Sequence, residues 1–162
     1  MQLTLIILLT GCRCEIEASR FELSDVDKSF LTATHHTVEV EIQLTTMARA
    51  KSDAAIKSVA EEMLSDFEKA MHDLQTISAN TNFQFFSNLS DESDADVTAL
   101  NSTTVDKFDS TFLKLEIKRL SNHITSYDKQ VLEGTEPSVV AFAKKYLLRW
   151  EEYQSKLDAL DE

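Results

Sequence analysis

The 162-residue chain is 43% hydrophobic and 27% charged, with only 2 Gly and 1 Pro, a length that suits one domain with a substantial core. So few backbone breakers exclude a turn-rich sandwich or barrel, and its two cysteines, Cys12 and Cys14, are too close together to staple a disulfide scaffold. Sixteen Lys and Arg against 28 Asp and Glu leave a formal net charge of −12, which repels phosphate backbones and argues against nucleic acid as a partner.

Residues 1–11 carry no charged side chain and run apolar from Leu3 to Leu9. That run is far too short to span a bilayer, which takes about 20 residues, but it suits the apolar part of a secretory signal peptide. Leu9-Thr10-Gly11-Cys12 resembles the bacterial lipobox: an aliphatic residue, two small residues that let a peptidase approach the backbone, then the cysteine whose sulfur receives the lipid. The resemblance implies lipidation at Cys12, anchoring to a membrane of the bacterial cell envelope, and an ordinary thiol at Cys14. A Cys-x-Cys metal site lacks the further ligands of a closed zinc site. Residues 12–23 are mixed and polar and read as a tether, leaving 24–162 as the domain.

Ser24 opens a first helix with Asp25 and Asp27 in its first turn, where acids suit the macrodipole; it is expected to reach about Ala50. Ser52 or Asp53 caps a second helix that continues to about Ser78. Residues 83–104 hold Phe83, Phe85 and Phe86 and an acidic run, and read as a long connection with a short helix near 94–101. The aromatic segment is expected to fold onto the end of the domain. A third helix starts near Val105 and ends before Gly134, a natural C-cap. A fourth restarts at Thr135-Glu136-Pro137, with Pro in the first turn where its missing N–H is harmless.

Apolar residues recur at alternating steps of four and three: Ile56, Ala60, Met63, Phe67, Ala70, Leu74 and Ile77 on the second helix; Leu113, Ile117, Leu120, Ile124, Tyr127 and Val131 on the third; Val139, Ala143, Tyr146, Trp150, Tyr153, Leu157 and Leu160 on the fourth. One such stripe per helix predicts shallow-angle packing in an all-α, four-helix, ferritin-like up-down bundle. The long connection between the second and third helices carries the short extra helix and is long enough to cross over the bundle.

On the first helix, a turn of about 100° per residue places Phe30, Ala33, Thr37, Glu41, Leu44 and Ala48 on one side, with Glu41 inside the stripe. A buried carboxylate needs a cation, a metal or several donors. The expectation is a carboxyl satisfied by Thr37 or Thr45 and a hydroxyl from the third or fourth helix, rather than a metal ligand. Glu116 and His123 share a flank of the third helix, and Asp66 borders Phe67 on the second, making Glu41, Asp66 and Glu116 the candidate buried polar site. No Glu-x-x-His occurs in the chain, so a complete di-metal centre is not expected. Adjacent His35 and His36 diverge and are expected to be solvated, and Glu68 and His72 point away from the stripe. Phosphate loops and nucleophile elbows are missing, so no catalytic residue, metal or cofactor is assigned.

Phe30, Glu41-Ile42-Gln43-Leu44, Ile56-Lys57-Ser58-Val59-Ala60, Met63 through Asp66, Phe108-Asp109 and Phe142-Ala143-Lys144-Lys145 together resemble a bacterial ferritin-like family, domain of unknown function 4142, over about residues 25–160. The resemblance implies an exported four-helix ferritin-like bundle, often of the outer membrane or periplasm, without an assigned activity. Family members commonly carry histidines where this chain has Phe67, Leu120 and Tyr153, so the replacements read as core filling while Glu41 and Asp66 persist. The expected function is a non-enzymatic, lipid-anchored binding or envelope-structural module, with the membrane and another envelope protein as partners. The alternative is a ferritin-like carboxylate metal-binding protein or oxidoreductase built around Glu41, Asp66 and Glu116.

Overall fold

The structure, a computed structural model, describes residues 23–85 and 91–161; the expected signal, Cys12 and nearly all of the tether lie outside the described residues, as does Phe86. Leu23, at the end of the expected tether, is already buried in the core. Five helices follow: α1 (Asp25–Lys51), α2 (Ala54–Thr81), α3 (Asp91–Ser102), α4 (Val105–Glu133) and α5 (Pro137–Asp158).

Their ends are set by local chemistry. Ser24 and Asp27 form a capping box, each side chain bonding the other residue's backbone N–H. The Asp53 carboxylate accepts from the N–H groups of Ala55 and Ile56, both at 3.0 Å, and Pro137 begins α5 behind Glu136. Asn82 ends α2 in the left-handed conformation, φ 56°, which Asn tolerates better than most residues. Gly134 ends α4 for a different reason. Its φ of −68° is ordinary, but a Cβ there would lie 2.2 Å from Nε2 of Gln130 and 2.5 Å from its carbonyl oxygen. Glycine makes room for the Gln130 side chain to curl under the helix end.

Ion pairs report the topology. Glu62, Asp66 and Asp73 of α2 meet Lys156, Arg149 and Lys145 of α5, so these helices are antiparallel. Asp27 meets Gln130, and Glu41 meets Arg119 and His123, so α1 and α4 are antiparallel too. With α1 rising and α2 descending, α4 descends and α5 rises. The connection between α2 and α4 must therefore return along the bundle, the crossing expected of a ferritin-like order. Within it α3 lies over α1 and α4, with Leu100 buried, Lys51 Nζ bonded to Asn101 at 3.1 Å, and Asp96 on Arg119.

The stripes of α2 and α5 are buried as their spacing predicts, apart from half-buried Leu160. At their centre Trp150 stacks on Phe67 at 4.4 Å and on Tyr146 at 5.5 Å, an arrangement whose truncation would cost about 3–5 kcal/mol. The stripe of α4 is turned and that of α1 is widened. On α1 Phe30, Glu41, Leu44 and Ala48 are buried as expected, and Asp27, Leu31, Thr34, Val38 and Thr45 form a second buried line beside them, while Ala33 is exposed and Thr37 half-buried. On α4 the buried line runs through Leu113, Glu116, Leu120, His123, Tyr127 and Gln130, and Ile117, Ile124 and Val131 are half-buried flanks. Both spacings share Leu113, Leu120 and Tyr127, so apolarity alone favours the isoleucines; polar partners waiting on α1 reverse the choice.

Phe83 and Phe85 pack on the core edge, ring against ring at 5.5 Å, and the Ser78 hydroxyl donates to the Phe83 carbonyl. His35 stacks on Phe85 at 4.2 Å. Both His35 and His36 are half-buried rather than solvated, His35 because the aromatic segment folds over it. Among the described residues, no helix is long and apolar enough to cross a membrane.

Candidate functional site

The buried lines of α1 and α4 carry polar residues at matching intervals of seven, Asp27, Thr34 and Glu41 against Glu116, His123 and Gln130. Because an interval of seven is two helical turns, antiparallel helices bring these positions into register along one seam.

Glu41 lies at its centre, fully buried. Its Oε1 accepts from Arg119 Nε at 2.6 Å and is bonded to His123 Nε2 at 2.7 Å. The expected hydroxyl partners are not used. The Thr45 hydroxyl donates to the backbone carbonyl of Glu41 at 2.6 Å, and a guanidinium supplies the compensating charge, as burial of a charged carboxylate demands. Burial alone would raise the Glu41 pKa; the bond and electrostatic pull of His123, the charge of Arg119 and a contact with Glu116 together hold it well below the usual range. Glu116 goes the other way. It is equally buried, and burial plus the adjacent negative charge of Glu41 push it well above the ordinary value. Among the described residues no hydrogen-bond donor reaches the Glu116 oxygens or Oε2 of Glu41, a setting that favours the neutral form of Glu116 over a second charge beside Glu41.

Fourteen residues earlier on the same face, Asp27 is also fully buried, but among the described residues no cation pairs with it. It accepts from the Ser24 hydroxyl at 2.6 Å, Gln130 Nε2 at 2.6 Å, the Thr135 hydroxyl at 2.8 Å, and the N–H groups of Thr135 and Glu136, both at 3.2 Å. Burial would raise its pKa; the bonds from Ser24, Thr135 and Gln130 outweigh that and hold it at about 2. The carboxylate thereby ties the start of α1 to the α4–α5 turn.

Asp66 does not join this seam. It accepts from Arg149 Nε at 2.7 Å, Tyr153 OH at 2.8 Å and Lys69 Nζ at 2.8 Å, all on α2 and α5. Glu41 and Glu116 therefore form one site and Asp66 another. Of the three positions read as core filling, Phe67 and Leu120 are buried hydrocarbon, whereas Tyr153 also hydrogen-bonds Asp66. Asp73 and Tyr146 repeat that arrangement at 2.9 Å, seven residues further on α2 and seven earlier on α5. Among the described residues, no three His, Cys, Asp or Glu side chains are placed to hold a metal ion.

Above the Glu41 network, α1 and α4 part to leave a groove of about 320 Å³. Ala33 and Thr37 of α1 and Asn122 and Ser126 of α4 line it, short side chains that leave its space unfilled, and Arg119 and His123 also reach it. Asp96 of α3 closes one end, its Oδ2 accepting from Arg119 Nη1 at 2.8 Å. A shallower continuation shares Ala33 and Ser126 and runs toward Gln130. Sequence reasoning missed Asp27, Asp96 and Arg119 as site residues; the interval-of-seven polar positions were the available signal for Asp27.

A family model described as domain of unknown function DUF4142 matches residues 14–160. No curated protein matches the chain. Among solved structures, the crystal structure of a DUF305 fragment from Deinococcus radiodurans is similar, with 14% identity, coverage of 85% of this chain and 96% of that one, and a TM-score of 0.77. That likeness shows the helical-bundle fold. The family match extends from within the tether to the end of α5, and the chain belongs to the DUF4142 family.

Proposed function

We propose that this protein is an exported, lipid-anchored, non-enzymatic binding module of the bacterial cell envelope, and that it binds through the groove between α1 and α4. The observation that carries the reading is the groove itself. Its volume of about 320 Å³ lies at the small end of ligand pockets, and its floor is a charge pair already neutralised from within. Arg119 and His123 spend bonds on Glu41, an arrangement that suits fixed recognition better than proton transfer. The lipobox-like Leu9-Thr10-Gly11-Cys12 supports the anchor.

Two experiments test the two halves. A fragment screen followed by amide NMR is expected to give compounds that shift Thr37 and Asn122, and Ser126→Trp, which fills the groove, is expected to abolish those shifts. Compounds that bind only elsewhere would contradict the reading. Labelled-lipid incorporation in cells is expected to vanish in Cys12→Ser; persistence would remove the anchor from Cys12.

The alternative, a ferritin-like carboxylate metal-binding protein or oxidoreductase, would have to draw on Glu41 and Glu116, since Asp66 belongs to the other seam. The donor set fits such an ion poorly, because Arg119 already supplies the cation beside Glu41. Stoichiometric iron or manganese in purified protein, lost in Glu41→Ala, would replace the binding reading with this one.

A further inference from the structure

We propose that the α1/α4 groove takes a small organic carboxylate on the outer edge of Arg119, in competition with the Asp96 side chain of α3. This inference rests on the groove being a binding site and names the chemistry of what it binds.

Arg119 is used asymmetrically. Its Nε faces inward to Glu41, and its Nη1 faces outward to a single oxygen of Asp96 at 2.8 Å. Among the described residues Nη2 has no partner, although Arg119 lines the groove. A guanidinium presents Nη1 and Nη2 as a fork matched to both oxygens of a carboxylate. Asp96 uses one tine only. A free carboxylate entering the groove can engage both, so it has a geometric advantage over the internal one.

Charge and shape agree with that exchange. Arg119 exchanges one carboxylate partner for another, and exposed Lys118 on the rim adds a second cation that draws the ligand in against the net −12 of the chain. Asn122 and Ser126 offer hydrogen bonds to polar parts of the ligand, and Leu115 offers an apolar contact for its body. The Asp96 side chain is about one-third exposed, so it can leave Arg119 for water. Asp96 also ties α3 to α4. Its displacement leaves α3 held by buried Leu100 and by the Lys51–Asn101 bond, so ligand binding is read out as a change at α3.

The test is an NMR titration of the 162-residue chain with benzoate at pH 7, with inorganic phosphate and calcium as comparison probes. Saturable shifts of Asn122, Ser126 and the Arg119 Nε–H, accompanied by shifts in α3, are the expected result. Asp96→Asn removes the competitor and is expected to bind benzoate roughly tenfold tighter. Arg119→Lys keeps a cation for Glu41 but loses the fork, and is expected to lose benzoate binding while its helical circular dichroism is retained; should it unfold, the Asp96→Asn comparison decides alone. Groove shifts with phosphate or calcium but not with benzoate would overturn the ligand class and leave the groove reading standing. Unchanged benzoate affinity in Asp96→Asn would overturn the competition. No groove shifts with any probe would overturn both.

Discussion

Asp27 and Glu41 sit two heptads apart on one face of α1, both fully buried and both facing α4, yet the protein keeps them charged by opposite means. Asp27 is held by neutral donors, three side chains and the backbone N–H groups of a turn. Glu41 is held by a guanidinium and an imidazole from α4, beside a second buried carboxyl whose pKa is raised. The Asp27 arrangement is a structural clamp whose donors are all used within the fold. The Glu41 arrangement borrows its cation from a residue that also faces a groove, and so connects the core to the surface. A buried acid on a bundle seam can therefore be either a fastening or part of a binding site, and its partners tell which.

The largest expected effect breaks the Glu41 side. Arg119→Ala leaves a buried charge without its cation and is expected to lower unfolding free energy by about 3–5 kcal/mol in urea titrations; adding Glu41→Gln to that background is expected to recover part of the loss. Full stability in Arg119→Ala would show that His123 alone suffices. Asp27→Ala strands the Gln130 amide and the Thr135 donors, for a loss of about 2 kcal/mol.

The two seam acids also differ in how they respond to pH. Asp27 has a folded pKa of about 2, below the ordinary aspartate value of 3.8. Its contribution is complete above that ordinary value and is lost as pH falls through about 2, an acid limb of about 2 kcal/mol that is expected to be missing in Asp27→Asn. Glu116 has the opposite sign. Its pKa is raised in the fold, so the unfolded chain releases that proton first, and stability declines as pH rises above the ordinary glutamate value of 4.5. Glu116→Gln is expected to change stability by less than about 1 kcal/mol at low pH and to flatten that decline.

The smallest effect lies on the other seam. Tyr153→Phe removes one bond to Asp66, which retains Arg149 and Lys69, and is expected to cost about 1 kcal/mol by thermal unfolding.

Most of the bundle was legible in the residues because α2 and α5 obey a simple rule: apolar side chains at alternating steps of four and three are the ones buried. The same rule turned α4 by one position and on α1 misplaced only Ala33 and Thr37. Ile117, Ile124 and Val131 look more like core than Glu116, His123 and Gln130, and only a matching set of polar residues on α1 makes the second choice the stable one. Glu41 stood out because it interrupts an apolar stripe, but its partner Arg119 lies 78 residues away. Helical periodicity carries no information about which cation the fold brings there. Asp27 was hidden for another reason. At the third position of a helix, an acid is fully explained by capping, and nothing local reports the donors arriving from the α4–α5 turn.

The opposite protonation of Glu41 and Glu116 is tested most directly by carbon-detected NMR of their side-chain carboxyls from pH 3 to pH 8. Glu41 is expected to remain a carboxylate at pH values where free glutamate is already protonated, while Glu116 is expected to release its proton only well above the ordinary glutamate value. Two carboxyls titrating together near the ordinary glutamate value of 4.5 would contradict the opposite shifts and with them the locked floor of the groove.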